Sequence, residues 1–143
     1  EPSRNESDVK CGDSGERGRR ILVCDDEELM RRVAGKILER CGFEAKYAAG
    51  GDEALEEYRA GGIDLVILDL SLPGESGLDI FRSLRKLDPQ VRVLFSSGYR
   101  DDERLSTAME EGAAGFLHKP YTMDKMLRKV REALAPSERS GSA

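Results

Sequence analysis

The sequence of 143 residues lacks three features that would each assign it to a class of protein. No apolar run approaches the roughly 18–20 residues that a membrane-spanning helix needs, and no secretory signal is visible. Basic residues are not in excess, since the formal net charge is -5. That balance argues against a nucleic-acid-binding surface, because the neutralisation of phosphates requires a clustered basic face.

Cysteine is also scarce. The three cysteines, Cys11, Cys24 and Cys41, show no CxxC spacing, so they predict neither a disulfide framework nor a zinc site. Cys24 and Cys41 fall in apolar patterns, where a reduced cysteine behaves as a small apolar residue. We therefore expect a reducing, cytoplasmic compartment. The chain begins with Glu1 rather than Met, which suggests a piece of a longer protein.

Polar segments flank one candidate folded unit. Residues 1–19 contain almost nothing apolar, and such a composition predicts a linker or a disordered tail. Residues 136–143 predict a flexible C-terminal tail for the same reason. The folded domain is therefore expected to span residues 20–135, which is long enough to bury a core.

Within residues 20–135, short apolar runs alternate with segments of helical periodicity. The apolar runs predict strands at residues 21–24, 45–48, 63–68, 91–95 and 115–117. Helical spacing of apolar residues, bounded by Gly or Pro, predicts helices at residues 29–41, 52–59, 78–87, 104–111 and 123–134. The apolar stripe of the first helix includes Leu29 and Val33.

Five strands that are each followed by a helix predict an α/β fold, a doubly wound parallel sheet with helices on both faces. Right-handed crossovers leave few topologies, and the flavodoxin-like (βα)5 arrangement with strand order 2-1-3-4-5 is the common one. Ligands of such sheets bind beyond the carboxyl ends of the strands. Functional side chains are therefore expected there.

Charged and hydroxyl side chains follow four of the predicted strands. Asp25 and Asp26 follow the first strand, Asp69 the third, Ser97 the fourth and Lys119 the fifth. Crowded carboxylates need compensation, and Mg²⁺ prefers oxygen ligands that include one or two carboxylates. Asp25 and Asp26 are thus predicted to hold the metal. Asp69 is predicted to be the nucleophile in phosphoryl transfer, with Lys119 and Ser97 contacting the phosphoryl group.

Each of these residues also has a simpler interpretation. A single Asp after a strand is usually a turn former or a helix cap, and Asp26 could cap the first helix. Ser97 alone would be a turn hydroxyl and Lys119 alone a solvated cation. His118 is interpreted as structural, because the chemistry needs no imidazole. The joint placement of the residues at four strand ends favours a site.

The segments ILVCDDEE, LVILDLSLPGESGLD, VLFSSGY and AAGFLHKP closely resemble the receiver domain of bacterial two-component response regulators. The resemblance implies that Asp69 accepts phosphate from a histidine kinase or a histidine phosphotransfer protein. It implies that the domain catalyses its own phosphorylation and dephosphorylation. It also implies that Asp26, Asp69 and the backbone carbonyl of Ser71 ligate Mg²⁺ directly, while Asp25 acts mainly through water.

A readout is implied as well. Ser97 would move toward the phosphate and Phe116 would rotate inward, which repacks the face of the fourth helix, fifth strand and fifth helix for an effector. The Lys119–Pro120 bond is expected to be cis. Three residues would flank the phosphoryl group: Leu70, Gly98 and Tyr99. Tyr99 is predicted to screen the acyl phosphate from water.

The parent protein is a separate question. The SGY sequence and the polar tail after the last helix look like those of receivers at the C-terminus of hybrid sensor histidine kinases. In that case the parent protein would be membrane-anchored. A stand-alone regulator or the receiver of a transcription factor stays open. An aspartyl-nucleophile phosphatase is a further alternative, although its DxD spacing is missing. A flavodoxin-like cofactor binder is disfavoured, because the acidic residues after the first strand would repel a phosphate.

Overall fold

A computed structural model describes residues 18–70, 72, 74–98, 103–119 and 122–134. The strands in these ranges are β1 (Arg20–Cys24), β2 (Glu44–Ala48), β3 (Leu65–Asp69), β4 (Val93–Ser97) and β5 (Gly115–His118). The helices are α1 (Glu28–Arg40), α2 (Gly51–Ala60), α3 (Gly77–Leu87), α4 (Glu103–Glu110) and α5 (Met123–Leu134). None of these helices combines the length and apolar character of a membrane span.

The five strands form one parallel sheet with the order β2-β1-β3-β4-β5. This confirms the predicted flavodoxin-like topology. The order makes β1 and β3 neighbours, with Cys24 opposite Leu68. The residues that follow those two positions, Asp25 and Asp69, therefore meet at the same edge of the sheet.

The core occupies both faces of the sheet. Side chains of β3 alternate between the two faces: Val66 and Leu68 pack in one cluster, whereas Leu65 and Ile67 pack in the other. Helices α2, α3 and α4 cover the first cluster, and α1 and α5 cover the second. Every residue of β3 is buried, as expected for a central parallel strand.

Two strands begin later than predicted, and hydrogen bonds just before their starts account for it. The carboxylate of Asp64 accepts the backbone N–H of Arg20 at 2.8 Å, so β3 begins after it. Val91 closes a turn by donating its N–H to the carbonyl of Asp88 at 2.9 Å, so β4 begins later than predicted. Both strands also extend past their predicted ends, so Asp69 and Ser97 are the last residues of their strands.

The predicted stripe of α1 is partly wrong. Leu29 and Val33 are 69% and 39% exposed, whereas Ala34 and Leu38 are fully buried. Leu29 and Val33 lie four residues apart and form one row along the helix. Ala34 and Leu38 form a second row, about 100° around the helix from the first. α1 ends at Arg40, one residue before its predicted end, and Cys41 is its C-cap. Gly42 comes next with a φ of 91°, in the region that favours glycine.

The cysteines differ from expectation at one position. Cys24 is buried with a free thiol, as expected of a small core residue. Cys41 is also buried, but it is disulfide-bonded, so the prediction that it is reduced is wrong. Cys11 lies outside the described residues.

Candidate functional site

The predicted site residues that the structure describes meet at the carboxyl edge of the sheet. Asp25 directly follows β1, Asp69 ends β3, Ser97 ends β4 and Lys119 directly follows β5. The register places Asp69 opposite Ser96 and Ser97 opposite His118. Neighbouring strands thus bring together residues that are up to 94 positions apart in the chain.

Three carboxylates form a group that could hold a metal ion. One oxygen from each of Asp25, Asp26 and Asp69 lies within 4.8 Å of the others. Asp25 and Asp69 are only 4% exposed, whereas Asp26 is open to solvent. An all-oxygen set with one exposed member suits Mg²⁺, which takes one or two carboxylates and keeps several waters. These residues fit the predicted ion.

Lys119 bridges two of these carboxylates. Its Nζ donates to Asp25 Oδ2 at 3.0 Å and to Asp69 Oδ2 at 3.2 Å. Burial by itself would lower the pKa of Lys119, but the hydrogen bonds and charges of Asp25 and Asp69 outweigh it and raise that pKa. The backbone N–H of Lys119 donates to the Ser97 carbonyl at 2.8 Å. Lys119 therefore places a positive charge between Asp25 and Asp69.

The backbone holds Asp25 in place. Its N–H donates to the carbonyl of Ala48 at 3.1 Å, and its Oδ1 accepts the N–H of Glu27 at 3.0 Å. Arg31, one turn into α1, donates to the Asp25 carbonyl at 2.7 Å. The residue at the N-cap of α1 is Glu27. Asp26 is therefore not the N-cap, and its simpler interpretation as a helix cap is wrong.

The proposed switch residues lie on the neighbouring strands. Ser97 is fully buried, and Phe116 is half-buried and packs against the cluster under α4. The Phe116 ring centroid lies 6.0 Å from that of His118. The His118 Nδ1 has no hydrogen-bond partner among the described residues. The neighbouring residue that contacts the Asp25 and Asp69 carboxylates is Lys119.

Comparison with known proteins identifies the family. The family model described as the response regulator receiver domain matches residues 21–131. Chemotaxis protein CheY of Bacillus subtilis is 31% identical over 116 residues, which cover 80% of this chain and 97% of CheY. This chain belongs to the response regulator receiver family.

Relatives of this receiver domain occur in larger proteins. The transcriptional regulatory protein YkoG of Bacillus subtilis is 36% identical over 114 residues, or 80% of this chain and 50% of YkoG. The sensor kinase CckA of Brucella abortus is 33% identical over 116 residues, or 80% of this chain and 12% of CckA. The chain thus spans half the length of the one and a small part of the other.

The fold of the receiver domain matches solved structures. The CheX–CheY–BeF3–Mg²⁺ complex from Borrelia burgdorferi has a TM-score of 0.79 and 25% identity, covering 86% of this chain and 94% of the matched chain. A CheY-like receiver domain from Methanospirillum hungatei has a TM-score of 0.78 and 27% identity, covering 88% and 99%. Both matches span nearly the whole receiver fold.

Two residues connect the segment after Asp69 to the helices of this receiver domain but were not predicted as site residues. Arg104, in the first turn of α4, donates to the Leu70 carbonyl at 3.1 Å. Glu75 accepts the backbone N–H of Gly51 at 2.9 Å. Neither residue follows a strand, so the strand-end rule had no means of selecting them. Only the three-dimensional packing of helices against the loop indicates them.

The remaining predictions concern the flanks of the receiver site. Leu70 is buried, and its N–H donates to the Ser96 carbonyl at 2.9 Å. Gly98 is exposed, and a Cβ added to it would meet nothing within 4 Å. Three residues named in predictions lie outside the described ranges: Ser71, Tyr99 and Pro120.

Proposed function

We propose that this receiver domain accepts a phosphoryl group on Asp69 in a reaction that depends on Mg²⁺. The observation that carries the proposal is the buried Asp69 carboxylate, in contact with Lys119 and within 4.8 Å of Asp25 and Asp26. Helix caps and turn formers do not need a cation in contact with two buried carboxylates. A nucleophilic carboxylate in a phosphoryl-transfer site does.

In this proposal, a carboxylate oxygen of Asp69 attacks the phosphorus of a phosphohistidine. The new O–P bond forms as the P–N bond breaks, and the electron pair leaves with the imidazole of the donor. Lys119 is placed to neutralise charge on the transferred group, with Ser97 offering a hydroxyl. Asp25, Asp26 and Asp69, with the Ser71 carbonyl, would hold Mg²⁺, which supplies charge neutralisation when bound.

The readout is proposed to run through Ser97 and Phe116. Phe116 lines a groove of about 830 Å³ between α4, β5 and α5, whose rim includes Leu105, Met109 and Lys129. Movement of Ser97 toward the phosphoryl group would leave space into which the half-buried ring can turn. The groove would change shape, and an effector protein at this face would sense the change.

The biological setting is proposed as a cytoplasmic C-terminal receiver of a hybrid sensor histidine kinase, spanning residues 20–135. The likeness to the sensor kinase CckA supports that setting. The likeness to full-length CheY and to the N- or C-terminal half of YkoG-like regulators fits a stand-alone or excised receiver equally well. In each setting the partner is a histidine kinase or a histidine phosphotransfer protein.

The test is incubation with acetyl phosphate, with and without Mg²⁺, followed by intact mass measurement. We expect one phosphoryl adduct per chain that needs Mg²⁺, and none in Asp69→Asn. Asp79→Asn, an exposed carboxylate of α3, is the matched control and should react as the wild type does. An adduct that persists in Asp69→Asn, or continuous turnover of the donor without an adduct, would contradict the proposal and favour the phosphatase alternative.

A further inference from the structure

The loop between β3 and α3, residues 70–76, carries a side chain that reaches a different helix. Glu75 lies in this loop, and its Oε1 accepts the backbone N–H of Gly51, the first residue of α2, at 2.9 Å. The N-terminus of a helix has unpaired N–H groups and a partial positive charge, so a carboxylate is stabilised there. Glu75 therefore ties the loop that follows Asp69 to α2.

Two glycines make room for this contact. A Cβ added to Gly50 would lie 2.7 Å from Glu75 Oε2, and one added to Gly51 would lie 2.5 Å from Glu75 Oε1. Neither glycine has a positive φ, so backbone conformation does not require glycine at these positions. At Gly51 the Ile80 side chain also limits the space, since an added Cβ would lie 2.9 Å from its Cγ1. A larger residue at either position would require the Glu75 carboxylate to move.

The other end of the loop is fixed at Gly77. A Cβ added there would lie 2.9 Å from both the Asp69 carbonyl oxygen and the Leu70 Cα. The start of α3 therefore rests on the backbone of the phosphoacceptor itself. Glu75 is thus held on α2 and Gly77 lies against Asp69, so these two described residues near the end of the loop are fixed from two directions.

We propose that Glu75 is a positioning residue, which holds the β3–α3 loop in the geometry that binds Mg²⁺ and admits the phosphoryl donor. The inference rests on the proposed function, because this loop begins directly after Asp69, the residue proposed to accept the phosphoryl group and to bind Mg²⁺. Partners that orient ligating groups without touching the metal commonly change metal affinity by about 10- to 100-fold. Glu75 would act in this way through the backbone.

The chain offers a matched control at the same helix end. Glu53 Oε1 accepts the N–H of Ala49 at 2.6 Å, so it also bonds the backbone at the start of α2. Glu53 belongs to α2 itself, and its contact does not involve the β3–α3 loop. Both carboxylates raise the pKa of Cys24 by their charge, so both act on the same region. They differ in which segments they join.

The test compares Glu75→Ala, Glu75→Gln and Glu53→Ala with the wild type. Mg²⁺ affinity is measured by titration calorimetry, and amide hydrogen exchange of the β3–α3 loop is measured without Mg²⁺. We expect Glu75→Ala to weaken Mg²⁺ binding about tenfold and to speed exchange in the loop. Glu53→Ala should stay within about twofold on both measures. Glu75→Gln keeps an acceptor oxygen for Gly51 and should recover most of the affinity.

Three results would overturn the inference: unchanged affinity in Glu75→Ala, an equal loss in Glu53→Ala, or an equal loss in Glu75→Gln. The last result would assign the effect to charge instead of position. Failure of the proposed function is recognised separately. If the wild type takes up no phosphoryl group from acetyl phosphate, the proposed function fails. If it does so and Glu75→Ala binds Mg²⁺ as tightly, only the role of Glu75 fails.

Discussion

At the residue scale, Lys119 connects the stability of the fold to the chemistry of the site. Its side chain is 19% exposed, and the carboxylates that it contacts, Asp25 and Asp69, are 5% and 6% exposed. Removal of one partner from a buried ionic group leaves an uncompensated charge, which typically costs about 3–5 kcal/mol. The same residue that would neutralise an incoming phosphoryl group therefore also compensates two buried carboxylates in the resting protein.

We predict that Lys119→Met lowers the free energy of unfolding in Mg²⁺-free buffer by about 3 kcal/mol, as measured by urea denaturation. It should also abolish the phosphoryl adduct formed with acetyl phosphate. Lys125→Met, which changes an exposed lysine of α5, serves as the control and should behave as the wild type. Equal unfolding midpoints for Lys119→Met and the wild type would contradict the bridging role.

Cys24 provides a second prediction at this scale. Burial, with smaller contributions from the charges of Glu75 and Asp25, raises the pKa of the Cys24 thiol to about 12. The thiolate is the reactive form of cysteine. At pH 8, Cys24 should react with iodoacetamide about a thousandfold more slowly in the folded chain than in urea.

The measurement needs a chain in which Cys24 is the only cysteine, so Cys11 and Cys41 are changed to Ala. Mass spectrometry then follows alkylation with time in native buffer and in urea. The folded rate should rise about tenfold per pH unit between pH 8 and pH 10, because the group stays far below its pKa. Rapid alkylation of the native chain at pH 8 would show that the thiol is not buried in this way.

At the element scale, the sequence predicted the type and order of the strands and helices because each has a clear periodicity. It misplaced the starts of β3 and β4, since the bonds of Asp64 to Arg20 and of Val91 to Asp88 join positions that periodicity does not relate. It also assigned Leu29 to the core. Apolar spacing locates a helical stripe only to within about one residue position around the helix.

The site divides in the same way. Asp25, Asp69, Ser97 and Lys119 follow or end strands, so the strand order was enough to bring them together. The contacts of Glu75 with α2 and of Arg104 with Leu70 cross between elements. No local pattern marks such contacts, because they depend on how helices pack on the sheet. Prediction from sequence therefore reached the residues proposed to react and missed Glu75 and Arg104, whose contacts join separate elements.

Tyr58 joins two elements on one face of the sheet and yields a prediction that depends on pH. Its hydroxyl, on α2, donates to Asp88 Oδ2 at 2.6 Å, just after α3. Burial first, and then the hydrogen bond and charge of Asp88, raise the pKa of Tyr58 well above its usual range. The folded protein thus keeps the phenolic proton at pH values where the unfolded chain releases it.

We predict that Tyr58→Phe costs about 1 kcal/mol of unfolding free energy at pH 7. The difference in unfolding free energy between the wild type and Tyr58→Phe should stay constant below pH 10. It should disappear as the pH rises about one unit above that value. The sign follows because a raised pKa in the folded state stabilises only while the unfolded chain is also protonated. Urea denaturation of both proteins from pH 7 to pH 11 tests this. A difference that is constant up to pH 11 would exclude the raised pKa.

At the scale of the whole molecule, the proposed extent of the domain can be tested by shortening the chain. We expect residues 18–135 and the full chain to have the same free energy of unfolding under reducing conditions, within about 0.5 kcal/mol. Gly18 is kept because its N–H donates to the Gly42 carbonyl at 3.1 Å. Phosphorylation by acetyl phosphate should also be retained. A clear loss of stability would place part of the folded unit outside residues 18–135.

Mg²⁺ binding should couple the site to the stability of the whole fold. The three carboxylates meet only in the folded sheet, because Asp25 and Asp69 come from different strands. A ligand that binds only the folded state stabilises it by mass action, by about 2.7 kcal/mol at a free concentration a hundred times its dissociation constant. We therefore expect Mg²⁺ to raise the melting temperature, and a chelator to reverse the rise.

The variants make this expectation specific to the site. Asp26→Asn replaces a charged carboxylate ligand with a neutral amide and changes the core little, since Asp26 is exposed, and should lose most of the Mg²⁺-dependent rise. Asp52 is an exposed carboxylate in the first turn of α2, and Asp52→Asn should keep the Mg²⁺-dependent rise. Sodium chloride at equal ionic strength controls for screening, which acts on exposed charges at any position. If Asp26→Asn gains as much stability from Mg²⁺ as Asp52→Asn does, the ion binds elsewhere.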